Sequence, residues 1–336
     1  MIAKEFAGYR RSGKRRLDTM KKILALAMAL AMVLTLAACG GGGDTYKIGI
    51  CQLLQHEALD AATQGFKDAL TEKLGDKVSF EEGNASGDST NCSTIINSFL
   101  ASDVDLILAN ATASLQAAVA ATGDVPILGT SITDYATALE LSDWNGTVGG
   151  NVSGTSDLAP LDQQAAMIAG LFPDAKTVGL LYCSGEPNSV YQCTVMEGYL
   201  TEAGFAVEWF AFTDTNDVSS VTQAACDGCD VIYIPTDNTA ASNTEAIANV
   251  VLPAGVPVVA GEEGLCKGCG VATLSISYYD LGYTTGQMAC EILVNGGDIS
   301  TMAVQYAPAV TPKYQADNCA ALGVTVPDNY EAIVME

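Results

Sequence analysis

From Tyr46 nearly to the C-terminus the chain alternates short apolar runs with segments whose apolar residues recur every three to four positions. The runs cover 46–53, 104–109, 125–129, 177–182, 231–235, 256–260 and 271–276. Most are apolar at consecutive rather than alternate positions, which marks strands covered on both faces, as in parallel sheets. The intervening segments 58–74, 157–172, 189–203, 218–225, 243–250 and 279–295 read as amphipathic helices. In the first, Leu59, Ala62, Phe66 and Leu70 share one face while Thr63, Gln64 and Lys67 lie on the other. Asp157 and Asp217 stand where N-caps belong, and Gly204 and Gly296-Gly297 close two helices. The fold class is therefore α/β, with two doubly wound parallel-sheet lobes, because about 290 residues exceed one comfortable core.

The chain ahead of this body has a different character. Met20-Lys21-Lys22 precedes an apolar run over 23–34, and Leu36-Ala37-Ala38-Cys39 and four glycines follow. A charged start, an apolar stretch too short to span a bilayer and small residues before a cut describe a signal peptide. A buried core helix does not fit, since Gly40 to Gly43 cannot continue one. Translation is expected to begin at Met20, with Arg10-Arg11 and Arg15-Arg16 a weaker match to a twin-arginine signal.

Removing the first 38 residues leaves 7 Lys, no Arg and 37 Asp or Glu, a formal charge of −30. Such a field repels nucleic acid and anionic lipid head groups, and polyanionic ligands are disfavoured with them. His56 is the only His, and no Gly-x-Ser-x-Gly elbow, P-loop or paired-His motif occurs, so an enzyme is not expected. Besides Cys39 there are ten cysteines. Cys226-Asp-Gly-Cys229 and Cys266-Lys-Gly-Cys269 invite a zinc reading, but their separation exceeds ribbon spacing and each pair abuts a predicted strand. Neither a metal nor another cofactor is expected; local disulfides and unpaired thiols both remain open.

In open α/β sheets a ligand sits beyond the carboxyl ends of the strands, so the loops that follow them are the candidate site. In the first half these hold Gln52 and His56, then Asn110 and Thr112, then Ser131, Thr133 and Asp134. In the second half they hold Glu186, Asn188 and Ser189, then Asp237 and Asn238, then Glu262. Hydroxyls and helix N-termini can hold a carboxylate without Arg, and carboxylates can hold an ammonium, so the polarity is that of a zwitterion's two ends. Taken singly, Thr112, Thr133 and Ser189 also suit N-caps, and Asp237-Asn238 suits a turn. Trp144 and Trp209 could stack on a sugar or nucleoside ring, though ordinary packing accounts for both.

Several stretches carry a family resemblance: Gln52-Leu-Leu-Gln-His56-Glu-Ala-Leu-Asp60, Asn151-Val-Ser-Gly-Thr-Ser-Asp157, Gly185-Glu-Pro-Asn-Ser189, Pro235-Thr-Asp-Asn-Thr239, Glu263-Gly264 and Tyr278-Tyr-Asp-Leu-Gly282. With them the chain resembles the ABC-transporter substrate-binding proteins of the tryptophan/tyrosine type, and Leu36 to Cys39 resembles a lipobox. The resemblance implies a type I periplasmic-binding-protein fold with a multi-segment hinge. Its expected parts are a leader and signal peptide (1–38), a lipidated Cys39 and glycine linker (39–45), lobe one (46–155 plus 277–302) and lobe two (156–276 plus 303–336). It also implies an extracytoplasmic, lipid-anchored monomer that delivers an aromatic amino acid to a permease and ATPase. Carried over residue by residue, Asp237 and Glu186 would take the ligand ammonium. Thr112, Ser156 and Asn188 would lie near its carboxylate, and Gln52, His56, Thr133 and Asp134 would line the wall of lobe one. The chain departs from the family pattern at Gln55, Glu262 and Tyr135, and the last change is expected to reshape the pocket. A sugar or nucleoside ligand on the same fold is the alternative; a surface adhesin finds no support in repeats or low complexity.

Overall fold

The computed structural model describes residues 45–307 and 309–335; the expected signal peptide, Cys39 and the glycine linker lie outside them. The first lobe runs β1 (Tyr46–Gln52), α1 (Glu57–Leu74), β2 (Val78–Asn84), α2 (Ser89–Ala101), β3 (Leu106–Asn110), α3 (Thr112–Ala121), β4 (Ile127–Ile132), α4 (Tyr135–Ala138) and β5 (Val152–Ser156). The second runs α5 (Leu161–Leu171), β6 (Thr177–Cys183), α6 (Pro187–Glu202), β7 (Ala206–Phe212), α7 (Val218–Gly228), β8 (Val231–Ile234), α8 (Asn238–Ala241), α9 (Thr244–Ala254), β9 (Val258–Ala260), α10 (Glu263–Cys269) and β10 (Ala272–Ser275). The chain then returns to the first lobe with α11 (Tyr278–Asn295) and β11 (Gln305–Tyr306). It crosses once more for β12 (Thr311–Tyr314), α12 (Ala316–Leu322) and β13 (Glu331–Ala332).

Strand order is β2-β1-β3-β4-β5-β11 in one sheet and β7-β6-β8-β9-β10-β12-β13 in the other. Every pairing is parallel except β10 with β12. The two lobes thus repeat one winding, in which the first strand lies between the second and the third. That reversal opens a crevice at the carboxyl ends of β1 and β3 and again at those of β6 and β8. Continuous apolar runs made β3, β8 and β9 readable, and each is buried at every position. Among the strands that lacked that signal, β2 is a half-exposed edge carrying Glu81 and Glu82, and β5 is Val-Ser-Gly-Thr-Ser, buried without being apolar.

One boundary needs correction. The chain from 303 onward was expected in lobe two, but Gln305 and Tyr306 pair with Thr155 and Ser156, so β11 and its partner strand end both belong to the first lobe's sheet. Two passages between lobes are therefore residues 157–160 and 276–277, and the chain crosses a third time between Tyr306 and Thr311.

Helices α1 and α11 hold the returning chain against lobe one, and glycines set their spacing. A Cβ at Gly65 would collide with the Tyr279 carbonyl oxygen, and one at Gly282 with that of Ala62. Alanine favours a helix over glycine by about 1 kcal/mol. Gly282→Ala should nevertheless lower stability by about 2 kcal/mol, because backbone must move to admit the methyl group. Urea unfolding of the two proteins measures this, and an unchanged midpoint would mean that the helices do not approach so closely.

Candidate functional site

Where the two crevices face each other lies a narrow, nearly filled cavity with about 10 Å3 of free space. Lobe one contributes His56, Leu59, Ser131 and Thr133; lobe two contributes Asn188, Thr236, Asp237, Asn238, Ala241 and Glu262; Asp157 and Tyr278 come from the hinge side. Of the residues singled out in the sequence, His56, Ser131, Thr133, Asn188, Asp237, Asn238 and Glu262 meet here. The others are set behind the wall. Gln52 donates to Leu54 O and Asp60 Oδ1 and accepts from Thr63 Oγ1, tying β1 to α1. Asp134 caps α4 through Thr137 N, and Ser156 donates to Thr133 O, bracing the end of β4. Thr112 is buried at the start of α3, and Ser189 is buried in α6 beside Asn188.

Glu186, expected beside the ligand ammonium, is bonded within lobe two in this structure. Its carboxylate accepts from Asn238 N at 3.0 Å, Asn238 Nδ2 at 2.7 Å, Thr239 N at 2.8 Å and Thr239 Oγ1 at 2.8 Å, and it does not line the cavity. What it does is orient Asn238: with Nδ2 turned to Glu186, Oδ1 is left to accept from His56 Nε2 across the cleft at 3.1 Å. Burial favours neutral imidazole at His56, so Nε2 carries the single ring proton in this pairing.

Asp157 is the residue that sequence reasoning placed wrongly. It was read as a helix cap, but α5 begins at Leu161 with Pro160 in the cap position, which leaves Asp157 in the hinge. There Tyr278 donates to its Oδ2 at 2.8 Å, while its Oδ1 is buried without a partner. Across the cavity Ser131 Oγ is likewise buried and unpartnered. Ser131 has φ 56° at the bulge that interrupts the pairing of β4 with β5, a left-handed conformation that a serine holds only under local constraint. Tyr135, expected to reshape the pocket, instead turns into the lobe-one core. There its hydroxyl donates to Thr155 O, its ring stacks on Trp144, and Gly129 and Gly154 make room for it. Trp209 packs edge-on to Tyr182 on the edge strand β7, and neither tryptophan lines the cavity.

Three carboxyl groups therefore converge with no Lys or Arg among the lining residues. Burial, with the charge of Glu186 second, raises the Asp237 carboxyl to about 8 even though it accepts from Cys183 N and Ala240 N. Burial raises Glu262 to about 7 despite bonds from Gly264 N and Leu265 N, and it raises Asp157 as well. No group of side chains suited to holding a metal ion is present among the described residues, and the ten cysteines there are free.

The lobes are drawn together over this cavity. Besides the His56–Asn238 bond, Thr133 Oγ1 lies 3.3 Å from Thr236 Oγ1, and Gln192 Nε2 reaches both hydroxyls, at 3.5 and 2.6 Å. At the mouth, Lys267 Nζ meets both Glu57 carboxylate oxygens at 3.2 and 3.1 Å.

Two repeated lobes, three connecting passages and a buried cleft lined by acids, hydroxyls and amides define a protein that captures a small solute. Residues 47–332 match the family described as ABC transporter substrate binding protein. The chain belongs to that family, whose members bind solutes outside the cytoplasm rather than transform them. A tyrosine-binding protein of Clostridioides difficile is 34% identical over 249 residues, 73% of this chain and 72% of its own. A Streptococcus pneumoniae ABC domain in complex with L-Trp superposes with a TM-score of 0.82 at 30% identity, over 87% of this chain and 100% of that one. The ligand-free, open structure of a Clostridium difficile substrate binding protein with adhesive properties covers the same shares at 35% identity but a TM-score of 0.66. The higher score against the complex, despite lower identity, matches the cross-cleft bonds: these lobes stand as in a closed protein.

Folded, Asp237 and Glu262 keep their protons up to about 8 and about 7, whereas unfolded carboxyls release theirs near 4. Between those values the fold binds more protons than the unfolded chain, so this part of its stability is complete below about pH 4 and fades as pH rises to about 8. The slope of Tm against pH from 5 to 8 should flatten in an Asp237→Asn, Glu262→Gln double variant; an identical slope would assign the effect to other groups. Lys267→Met should speed ligand release less than fivefold, since the pair is partly exposed, and the gap from wild type should shrink at high salt. Equal release rates in low salt would show that the pair does not hold the lobes.

Proposed function

We propose that the protein captures an α-amino acid, aromatic ones foremost, and delivers it to the permease and ATPase of an importer. The observation that carries this reading is the pair of unpartnered buried groups flanking the cavity, the Asp157 Oδ1 acceptor and the Ser131 hydroxyl donor. A buried polar atom without a partner costs about 1–3 kcal/mol, and a ligand that supplies both partners recovers it. An α-amino acid does so with its ammonium and carboxylate. In this reading the ammonium lies against Asp157 and Asp237, and the carboxylate meets Ser131, Thr133 and the Asn188 amide. The side chain then lies along Leu59, Ala241 and Tyr278.

The raised carboxyls support the same reading, because a cationic ammonium entering beside them favours their ionised form and strengthens its own hold at low local dielectric. A sugar supplies no such charge and leaves three acids facing one another. The relatives that bind tyrosine and L-Trp agree with the amino-acid class. We place the protein outside the cell membrane as a monomer held through lipidated Cys39, with the four glycines as a flexible leash.

A thermal-shift panel of amino acids, sugars and nucleosides against residues 40–336 should give stabilisation by tyrosine, tryptophan or phenylalanine. Stabilisation by sugars alone would overturn the reading. Asp157→Asn should then weaken amino-acid binding on the order of 100-fold in calorimetry. Undiminished affinity would remove Asp157 from the ammonium site.

A further inference from the structure

Cys51, at the penultimate position of β1, and Cys92, on the inner face of α2, are both fully buried in the first lobe's core. Their sulfurs share one partner, each lying 3.6 Å from Ser114 Oγ. No other pair of thiols among the described residues shares a hydrogen-bond partner. Cys183, Cys269 and Cys319 direct theirs to the backbone carbonyls of Thr213, Leu265 and Val271, and the close-sequence pairs 226/229 and 266/269 make none between their partners. Helix α2 packs directly on β1, which brings the two cysteines to the same hydroxyl.

We propose that Cys51 and Cys92 are a dithiol–disulfide site, oxidised by exchange with a low-molecular-weight disulfide once the protein is outside the cytoplasm. The Cys92 thiolate attacks the external disulfide, forms a mixed disulfide and expels one thiolate. Cys51 then loses its proton and attacks the Cys92 sulfur, forming the intramolecular bond and expelling the second. One external disulfide becomes two thiols as two protein thiols become one disulfide. Cys92 lies on the helix that opens, so it meets the external disulfide first, and Cys51 on β1 closes the bond as α2 returns. Access comes from opening of α2 alone, whose Ser93, Thr94, Asn97 and Ser98 face is partly or fully exposed. The bridge pins α2 to β1 one residue before Gln52, the side chain that ties β1 to α1. It is independent of which solute is bound.

The test is to equilibrate the mature chain with graded mixtures of oxidised and reduced glutathione, quench with acid, unfold, alkylate and map fragments by mass. The expected result is loss of two alkylatable thiols, a fragment cross-linking Cys51 to Cys92, and a Tm raised by about 5 °C or more, reversed by dithiothreitol. Full alkylation of both cysteines in pure oxidised glutathione would overturn the proposal. So would cross-links that join other pairs while these two stay reduced. The wild-type map decides the matter without any variant that must first fold.

Discussion

Asp157, Asp237 and Glu262 are taken out of water where two lobes meet, and no fixed cation among the cavity's lining residues compensates them. An ionised carboxylate in such a place is unfavourable by several kcal/mol unless it is hydrogen-bonded or neutral. The structure answers differently at each. Asp237 caps α8 and accepts from Cys183 N, and Glu262 caps α10 with both oxygens, so each acid is held by backbone donors of a short helix. Asp157 has a phenol on one oxygen and nothing on the other. The site is thus rigid where its acids double as caps and incomplete at one atom, and that atom lies on the hinge side of the cavity.

This explains why the fold was easier to read than the site. Consecutive apolar residues announce a strand buried on both faces, and β3, β8 and β9 could hardly be anything else. β5 escaped notice because it is buried through Ser153 and Thr155, whose hydroxyls find Met302 O, Thr130 and Thr285 from elements far away in sequence. The loops after the strands pointed to the right neighbourhood, and seven of the thirteen residues named there reach the cavity. What a strand-end rule cannot supply is direction. Glu186 and Asp237 both follow strands of lobe two, yet one is consumed by Asn238 and Thr239 while the other faces inward. Asp157 follows a strand that was not foreseen, and Pro160 decides that it is not a cap. Tyr135 shows the same limit in reverse. A bulky residue next to a site residue looked like a change of pocket shape, but Gly129 and Gly154 give its ring a place in the core.

The relatives bear on a second point. A reading as a surface adhesin was set aside because the chain lacks repeats and low complexity. A two-lobed substrate binding protein with adhesive properties superposes on this chain, so absence of repeats does not discriminate between capture and adhesion. Capture rests on the cleft, where the unpartnered atoms are, and the outer surface carries no comparable argument.

Closure itself follows from how few charges cross the cleft. From Cys39 onward the chain has seven lysines, and of the four ion pairs found among the described residues three lie within a lobe while Lys267 with Glu57 spans two. The remaining cross-cleft bonds join neutral groups: His56 with Asn238, Thr133 with Thr236, and Gln192 with Thr133. Neutral hydrogen bonds contribute about 1 kcal/mol each and exchange readily for bonds to water, so a few of them hold lobes together without locking them. A ligand that adds two charge-assisted bonds inside the cavity then has the larger share in deciding whether the cleft stays shut. The geometry that leaves Asp157 and Ser131 unsatisfied in the closed form is what makes closure depend on the solute.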